Sequence, residues 1–195
     1  MQTEGFPGSP AIALPAAPTL RYDSATIVLH WLTATLVVLL WGIGQGVGFL
    51  PHRSPLRVTA WSLHIVLGLA LAVVLLVRIA WRTGPGARLP AAGSGWLGRL
   101  ATATHQGLYA LLVATVVLGV INAWVHGNTV FGLFAFPKPV PGDAGLRHTI
   151  FELHADLADI TVIVAGLHAA AALAHHYLLR DTVLRRMLPG ESSGR

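Results

Sequence analysis

The sequence predicts an all-α integral membrane protein, folded as an up-down four-helix bundle. Two observations carry this. The 195 residues are 54% hydrophobic and only 11% charged, with a mean hydropathy of +0.64, whereas a soluble domain carries about 25% charged residues. The apolar residues are also gathered into four continuous stretches, divided by short segments rich in proline and glycine. Each stretch supplies the ~20 helical residues that a ~30 Å hydrocarbon core demands. Transmembrane β-strands would need segments of alternating polarity, about ten residues long, and the runs do not alternate.

The first helix is predicted over residues 24–49 (ATIVLHWLTATLVVLLWGIGQGVGF), with Asp23 or Ser24 as its N-cap, because a short side-chain oxygen accepts from the free N–H groups of a first turn. Pro51 and Pro55 then break the chain, and a second helix follows over 56–81. GPGARLPAAGSG (Gly84 to Gly95) precedes a third over 100–125, and FPKPVPGD (Phe136 to Asp143) a fourth over 146–179. The fourth carries Arg147, His148, Glu152, Asp156 and Asp159 in its early turns, so it should begin outside the hydrocarbon. Short connections make successive helices antiparallel neighbours. Residues 1–20, rich in Pro, Ala and Gly without a basic start or a sustained apolar run, read as a disordered tail rather than a signal peptide. The bundle domain spans 21–189 and a C-terminal tail 190–195.

The basic residues set an orientation. Arg21, Arg78, Arg82, Arg88, Arg99, Arg180, Arg185, Arg186 and Arg195 fall on one side; Arg53, Arg57, Lys138 and Arg147 fall on the other. The positive-inside rule puts the richer side, with both termini, in the cytoplasm. Arginines distributed beside apolar spans explain the pI near 10.7 without a nucleic-acid face, so no nucleic-acid partner is expected; the partner is membrane lipid. Without cysteine, thiolate metal sites and thioether-linked haem are excluded.

Histidines inside the apolar runs carry the chemistry, since ionisable groups in a bilayer are costly and mark function. His154 and His168 are ~21 Å and nearly four turns apart, hence on nearly one face of the fourth helix. His30 lies near the cytoplasmic end of the first helix, at the depth of His168; His64 lies near the outer end of the second, at the depth of His154. Each pair has the residues to grip one iron from both sides, imidazole being a common axial haem ligand. The plain alternative is interhelical hydrogen bonding by the same histidines. His105, near the cytoplasmic start of the third helix, is a candidate ligand or haem-edge contact, or an interfacial histidine. His175, His176 and Arg180 are candidates for a quinone or propionate contact, or else form a solvated helix end where cations meet the negative dipole terminus. Arg78 and Arg82 could neutralise propionates; snorkelling is the default. His52, His126 and His148 read as loop or interface residues, and Trp31, Trp41, Trp61, Trp81 and Trp124 as an aromatic belt. Gly42, Gly44, Gly46 and Gly48 suggest close helix contact; Gly68 and Gly166 leave room beside a ligand for a flat macrocycle.

The segments LHWL (Leu29 to Leu32), LHIVLG (Leu63 to Gly68), THQGLYALL (Thr104 to Leu112), ELHADLAD (Glu152 to Asp159) and GLHAAAALAHHY (Gly166 to Tyr177) resemble the bacterial cytochrome b561 family, and they cover all four helices. The resemblance implies a di-haem b protein of the bacterial inner membrane, with axial ligation by His30, His64, His154 and His168, and electron exchange with the quinone pool. Some family members are similar to superoxide:ubiquinone oxidoreductases, which would make the chain an enzyme with two haem b groups and ubiquinone as acceptor. Arg53, Arg57, Lys138, Arg147, His52 and His148 would then form a cationic mouth that steers a small anion, offset by Asp143, Glu152, Asp156 and Asp159. No side chain is assigned a bond-making catalytic role. Two other readings stand beside this one: a haem-b anchor subunit of a hydrogenase or formate dehydrogenase, and a haem-free transporter or scaffold with interhelical histidines.

Overall fold

A computed structural model describes residues 21–52, 54–87, 89, 95–137 and 143–189. The tails expected at 1–20 and 190–195, together with Arg53, Arg88 and Lys138, lie outside the described residues. The chain forms helices α1 (Ser24–Val47), α2 (Pro55–Thr83), α3 (Gly95–His126) and α4 (Ala144–Tyr177). All four are long and apolar enough to cross a membrane, and they pack as the expected bundle.

Local chemistry explains the boundaries. Asp23 is the N-cap of α1: its carboxylate accepts from Thr26 N–H at 2.9 Å and from Thr26 Oγ1 at 2.7 Å. α1 stops at Val47, sooner than expected, with Gly48 as its C-cap. Two carbonyls at this end, Val47 O and Leu50 O, accept from the Arg57 guanidinium at 2.9 and 2.8 Å, so a cation sits where a helix leaves acceptors and partial negative charge. α3 begins at Gly95 rather than near Leu100, since no proline interrupts Trp96–Arg99. Between α3 and α4 the apolar run holds a small antiparallel hairpin that the sequence reading did not anticipate, β1 (Thr129–Val130) with β2 (Phe134–Ala135). It is fastened to α2, where Phe131 N–H donates to buried Ser62 Oγ at 3.0 Å.

α1 packs chiefly along α2 and α3 along α4; α2 meets α3 less closely, and the α1–α4 seam is the loosest of the four. Leu36, Leu40 and Leu71 form the buried cluster, flanked by Val37, Leu67, Val74 and Val116. Most other apolar side chains point outward, Val38, Leu76 and Leu167 among them, which suits a molecule whose solvent is lipid. The buried threonines between the helices are satisfied by their own helix, as a bilayer demands: Thr33 Oγ1 donates to Leu29 O at 2.6 Å and Thr161 Oγ1 to Leu157 O at 2.7 Å.

One end of the bundle gathers both ends of the domain. Tyr22 N–H donates to Arg186 O at 3.2 Å, Trp31 Nε1 to Met187 O at 2.7 Å, and Arg21 to Leu188 O. The Asp23 carboxylate also accepts from Trp81 Nε1 at 2.9 Å and Ala87 N–H at 3.0 Å. Burial alone would raise its pKa; the hydrogen bonds from Thr26, Ala87 and Trp81 outweigh that and hold the carboxyl far below the usual carboxylate range. The start of α1, the end of α2 and the chain's C-terminal turn therefore share one end, as an even number of spans requires.

Candidate functional site: two levels of paired histidines

At the end of the bundle away from the termini, the outer level, α2 and α4 bring the rings of His64 and His154 to a centroid separation of 6.2 Å with planes at 87°. His154 Nδ1–H donates to the Thr115 carbonyl of α3 at 3.0 Å. That bond fixes the tautomer and leaves Nε2 with its lone pair free, the arrangement that ligating histidines use. Glycines make room for both rings. A Cβ on Gly119 would stand 2.9 Å from His154 Cε1, and one on Gly44 would stand 3.6 Å from His64 Cε1. His64 Nδ1 is buried without a hydrogen-bond partner; the Leu40 carbonyl faces this ring without meeting full bond geometry at Nδ1.

At the inner level three imidazoles meet. His30 of α1 and His168 of α4 stand 6.4 Å apart between centroids, with planes at 69°. His105 of α3 is 5.2 Å from the same His168 ring. Arg78 of α2 donates to His30 Nδ1 at 3.2 Å and lies 5.2 Å from the centre of the Tyr109 ring, a cation–π distance. Trp31, whose indole is anchored to Met187, has its ring 5.5 Å from that of His30.

These distances can be tested against a shared metal. A metal–imidazole bond of ~2 Å, plus ~1.1 Å from nitrogen to ring centre, puts two imidazoles on opposite sides of one metal ~6 Å apart. His64–His154 and His30–His168 have that spacing, and His105–His168 is about an ångström short of it. A Cβ on Gly68, one turn from His64 on the same face of α2, would meet nothing within 4 Å, so space lies open beside His64; Gly166 is equally open but faces away from His168. The imidazole spacing at both levels thus fits a flat macrocycle between each pair, and at the outer level the His154 tautomer fits it as well.

The remaining candidates are dispersed. His175 Nδ1 donates to Asp181 Oδ2 where α4 ends. Arg180 there takes the left-handed backbone (φ 54°) that often closes a helix. Burial pushes the Asp181 carboxyl up, while His175 and the Val183 N–H outweigh it and draw it below its ordinary value. His176 Nδ1 is buried and without a hydrogen-bond partner, its ring 4.8 Å from that of Tyr177. Arg82 extends over Tyr22 at 5.9 Å. At the outer end, His52 is exposed, His148 lies 3.9 Å from Glu152, and Arg57 caps α1. Gly42 and Gly46, read as helix-contact glycines, would carry a Cβ that meets nothing within 4 Å; of that row, Gly44 touches a histidine. Gly119, Thr115, and the hydrogen bonds from Trp41 and Gln45 to Asp159 are the features that sequence reasoning missed. A lone glycine or threonine in an apolar helix carries no signal until a partner helix is placed against it.

Residues 21–190, the whole described bundle, match the family model for prokaryotic cytochrome b561. The chain belongs to that family. Among curated relatives it is 32% identical to a probable superoxide oxidase CybB of Yersinia pestis, covering 87% of this chain and 96% of the relative. It is likewise 32% identical to cytochrome b561 homolog 2 of Escherichia coli K12, over 89% and 94% of the two chains. Cytochrome b562 of Cereibacter sphaeroides is 30% identical, over 86% and 94%. Membership makes this a prokaryotic membrane cytochrome and implies haem b.

Proposed function

We propose that this b561-family cytochrome carries single electrons across the bacterial inner membrane through two haem b groups, with both termini in the cytoplasm. His64 and His154 hold the outer haem, His30 and His168 the inner. The observation that carries this reading is the pair of ring separations, 6.2 and 6.4 Å, at two levels of one bundle. When bound, haem iron supplies a reversible one-electron couple. The protein supplies the rest: Thr115 orients His154 through its carbonyl, Gly119 and Gly44 admit the rings, and four helices exclude water.

At the inner level, ligation through His30 Nε2 needs the proton on Nδ1, so the Arg78 guanidinium must leave that nitrogen and turn toward neighbouring negative charge, as propionates provide. Quinone accepts electrons at the cytoplasmic end near His175, His176 and Arg180, where the unpartnered His176 nitrogen suits a quinone carbonyl. The electron donor we propose is superoxide, in keeping with the relative named for that activity. Two superoxide ions give up one electron each and leave as oxygen; one ubiquinone takes both electrons and two protons. Arg57 keeps its cationic charge at the outer end, where an anion would approach.

The test is optical. Purified protein should show the reduced α-band of a b-type haem, and superoxide should reduce it rapidly with quinone as final acceptor. Absence of the band overturns the haem reading. A band that superoxide leaves oxidised overturns only the choice of donor.

A further inference from the structure

Among the described residues of α4, only Thr161 is buried, at 3% exposure, and it is polar. It shares a face with the candidate histidines. His154, Thr161 and His168 are spaced i, i+7, i+14 and stand in line along α4. Thr161 is thus midway between the two levels, ~10.5 Å of helix rise from each.

Its hydrogen bonds serve one level only. Thr161 Oγ1 donates its proton to Leu157 O at 2.7 Å, so the same oxygen accepts from Thr115 Oγ1 of α3 at 3.3 Å. Thr115 also bears the carbonyl that accepts from His154 Nδ1–H at 3.0 Å. Gly119, one turn on, leaves the notch that the His154 ring enters. One turn of α3 therefore holds α4 at two points, His154 and Thr161. Among the described residues, no hydrogen bond of either threonine runs to His30, His105 or His168. The direction of the Thr115 hydroxyl is unlike that of other helical threonines. Thr33, Thr102, Thr104 and Thr149 each donate to the carbonyl four residues earlier; Thr115 is turned across the seam to Thr161.

We propose that Thr161 is a positioning residue for the outer histidine site: by accepting from Thr115 it sets the register of α3 on α4, and so the alignment of the Thr115 carbonyl with His154. This rests on the haem reading above. The physical reason lies in the other bond open to Thr115. A helical threonine without a partner across the seam bonds back to its own helix, which often bends the helix there. Such a bend would fall on the turn Thr115–Gly119, the one pressed against His154. With Thr161 as acceptor, the hydroxyl is engaged across the seam and the turn keeps its line. A carbonyl that accepts from the far N–H of a ligating histidine also makes the ring more basic. A more basic axial ligand favours ferric iron and lowers the midpoint, so misalignment of that carbonyl should raise it.

The experiment is a redox titration of haem-loaded Thr161→Val in lipid nanodiscs, with the outer wave identified as the one that disappears in His154→Ala. Valine has a similar volume and lacks the hydroxyl. The outer midpoint should rise, and the outer ferric signal in electron paramagnetic resonance should move. Outer haem retention should fall by about tenfold, the low end of what loss of an orienting partner costs. The inner wave should stay in place, and Thr161→Ser should restore the native values. Thr115→Val should move the outer wave in the same sense, and the double variant no further than either single one, because each removes the same hydrogen bond. A residue that only filled space midway between the levels would loosen both alike and shift neither midpoint. That result overturns the proposal and leaves the haem reading standing; so does an outer wave unmoved in Thr161→Val. Should Thr161→Val not fold, Thr115→Val decides by the same two outcomes. Unmodified protein that holds no haem overturns the haem reading, and this proposal with it.

Discussion

The two histidine levels are built alike in spacing and unlike in surroundings. The outer level has two imidazoles, one tautomer fixed by the Thr115 carbonyl, and glycines pressed against both rings. The inner level has three imidazoles, a guanidinium on His30, and the C-terminal turn fastened one residue away through Trp31. The outer site is thus held by shape, and the inner by charge and by the chain ends. Steric sites fail when atoms are added; electrostatic sites shift when charge is removed.

On the proposed ligation, the largest expected effect is removal of a histidine. His154→Ala should halve the haem-to-protein ratio and abolish one redox wave, while His168→Ala should abolish the other. His105→Ala should keep both haems, because its 5.2 Å approach to His168 is too short for two-sided ligation. Loss of the inner haem in His105→Ala, with retention in His30→Ala, would reverse the assignment at that level. Next is the steric contrast. Gly119→Ala places a Cβ 2.9 Å from His154 Cε1, whereas Gly44→Ala places one in ordinary contact at 3.6 Å from His64. Overpacking costs about 1–3 kcal/mol, so Gly119→Ala should weaken outer haem retention by roughly 5- to 150-fold in a haem-transfer assay, with Gly44→Ala near native. Equal behaviour of the two variants would show that the outer ring is not held by shape.

Much of this was legible in the sequence because bilayers impose simple rules. Four apolar runs gave four helices, and helix rise placed His64 with His154 and His30 with His168 at common depths. Side-chain direction was not legible. Gly42, Gly44, Gly46 and Gly48 look alike in sequence, yet only packing against α2 tells that Gly44 abuts a histidine. Gly119 had no signal at all, because its partner lies on another helix. Arg57 read as part of a cationic mouth and serves also as the cap of α1, since its backbone neighbours in space come from an earlier turn of chain. The hairpin at Thr129–Ala135 was hidden inside an apolar run too short to declare a period.

Charge removal at the inner level should have a smaller effect. Arg78→Gln should lower the inner midpoint and leave the outer wave in place, because a cation stabilises the reduced, more negative state. With the guanidinium 3.2 Å from His30 Nδ1, the charge would stand ~8 Å from an iron on the far ring nitrogen, and at an effective dielectric of ~20 the change is on the order of 2 kcal/mol. An unmoved inner midpoint would mean that Arg78 only marks topology.

The smallest effect concerns how the inner end is tied together. Asp23→Ala removes the cap of α1 along with the acceptors for Trp81 and Ala87, and loss of a capping side chain costs about 0.5–2 kcal/mol. The folded carboxyl lies below its unfolded value near ~3.9, so its contribution is complete above that pH and is lost as pH falls through the folded value. Thermal melts in detergent should therefore show a larger drop between pH 7 and pH 3 for native protein than for Asp23→Ala. Haem content at pH 7 should be unchanged at the outer level, which is remote from Asp23. If Asp23→Ala released the outer haem as readily as the inner, the two levels would be one cooperative unit, and the contrast between a site held by shape and a site held by chain ends would fail.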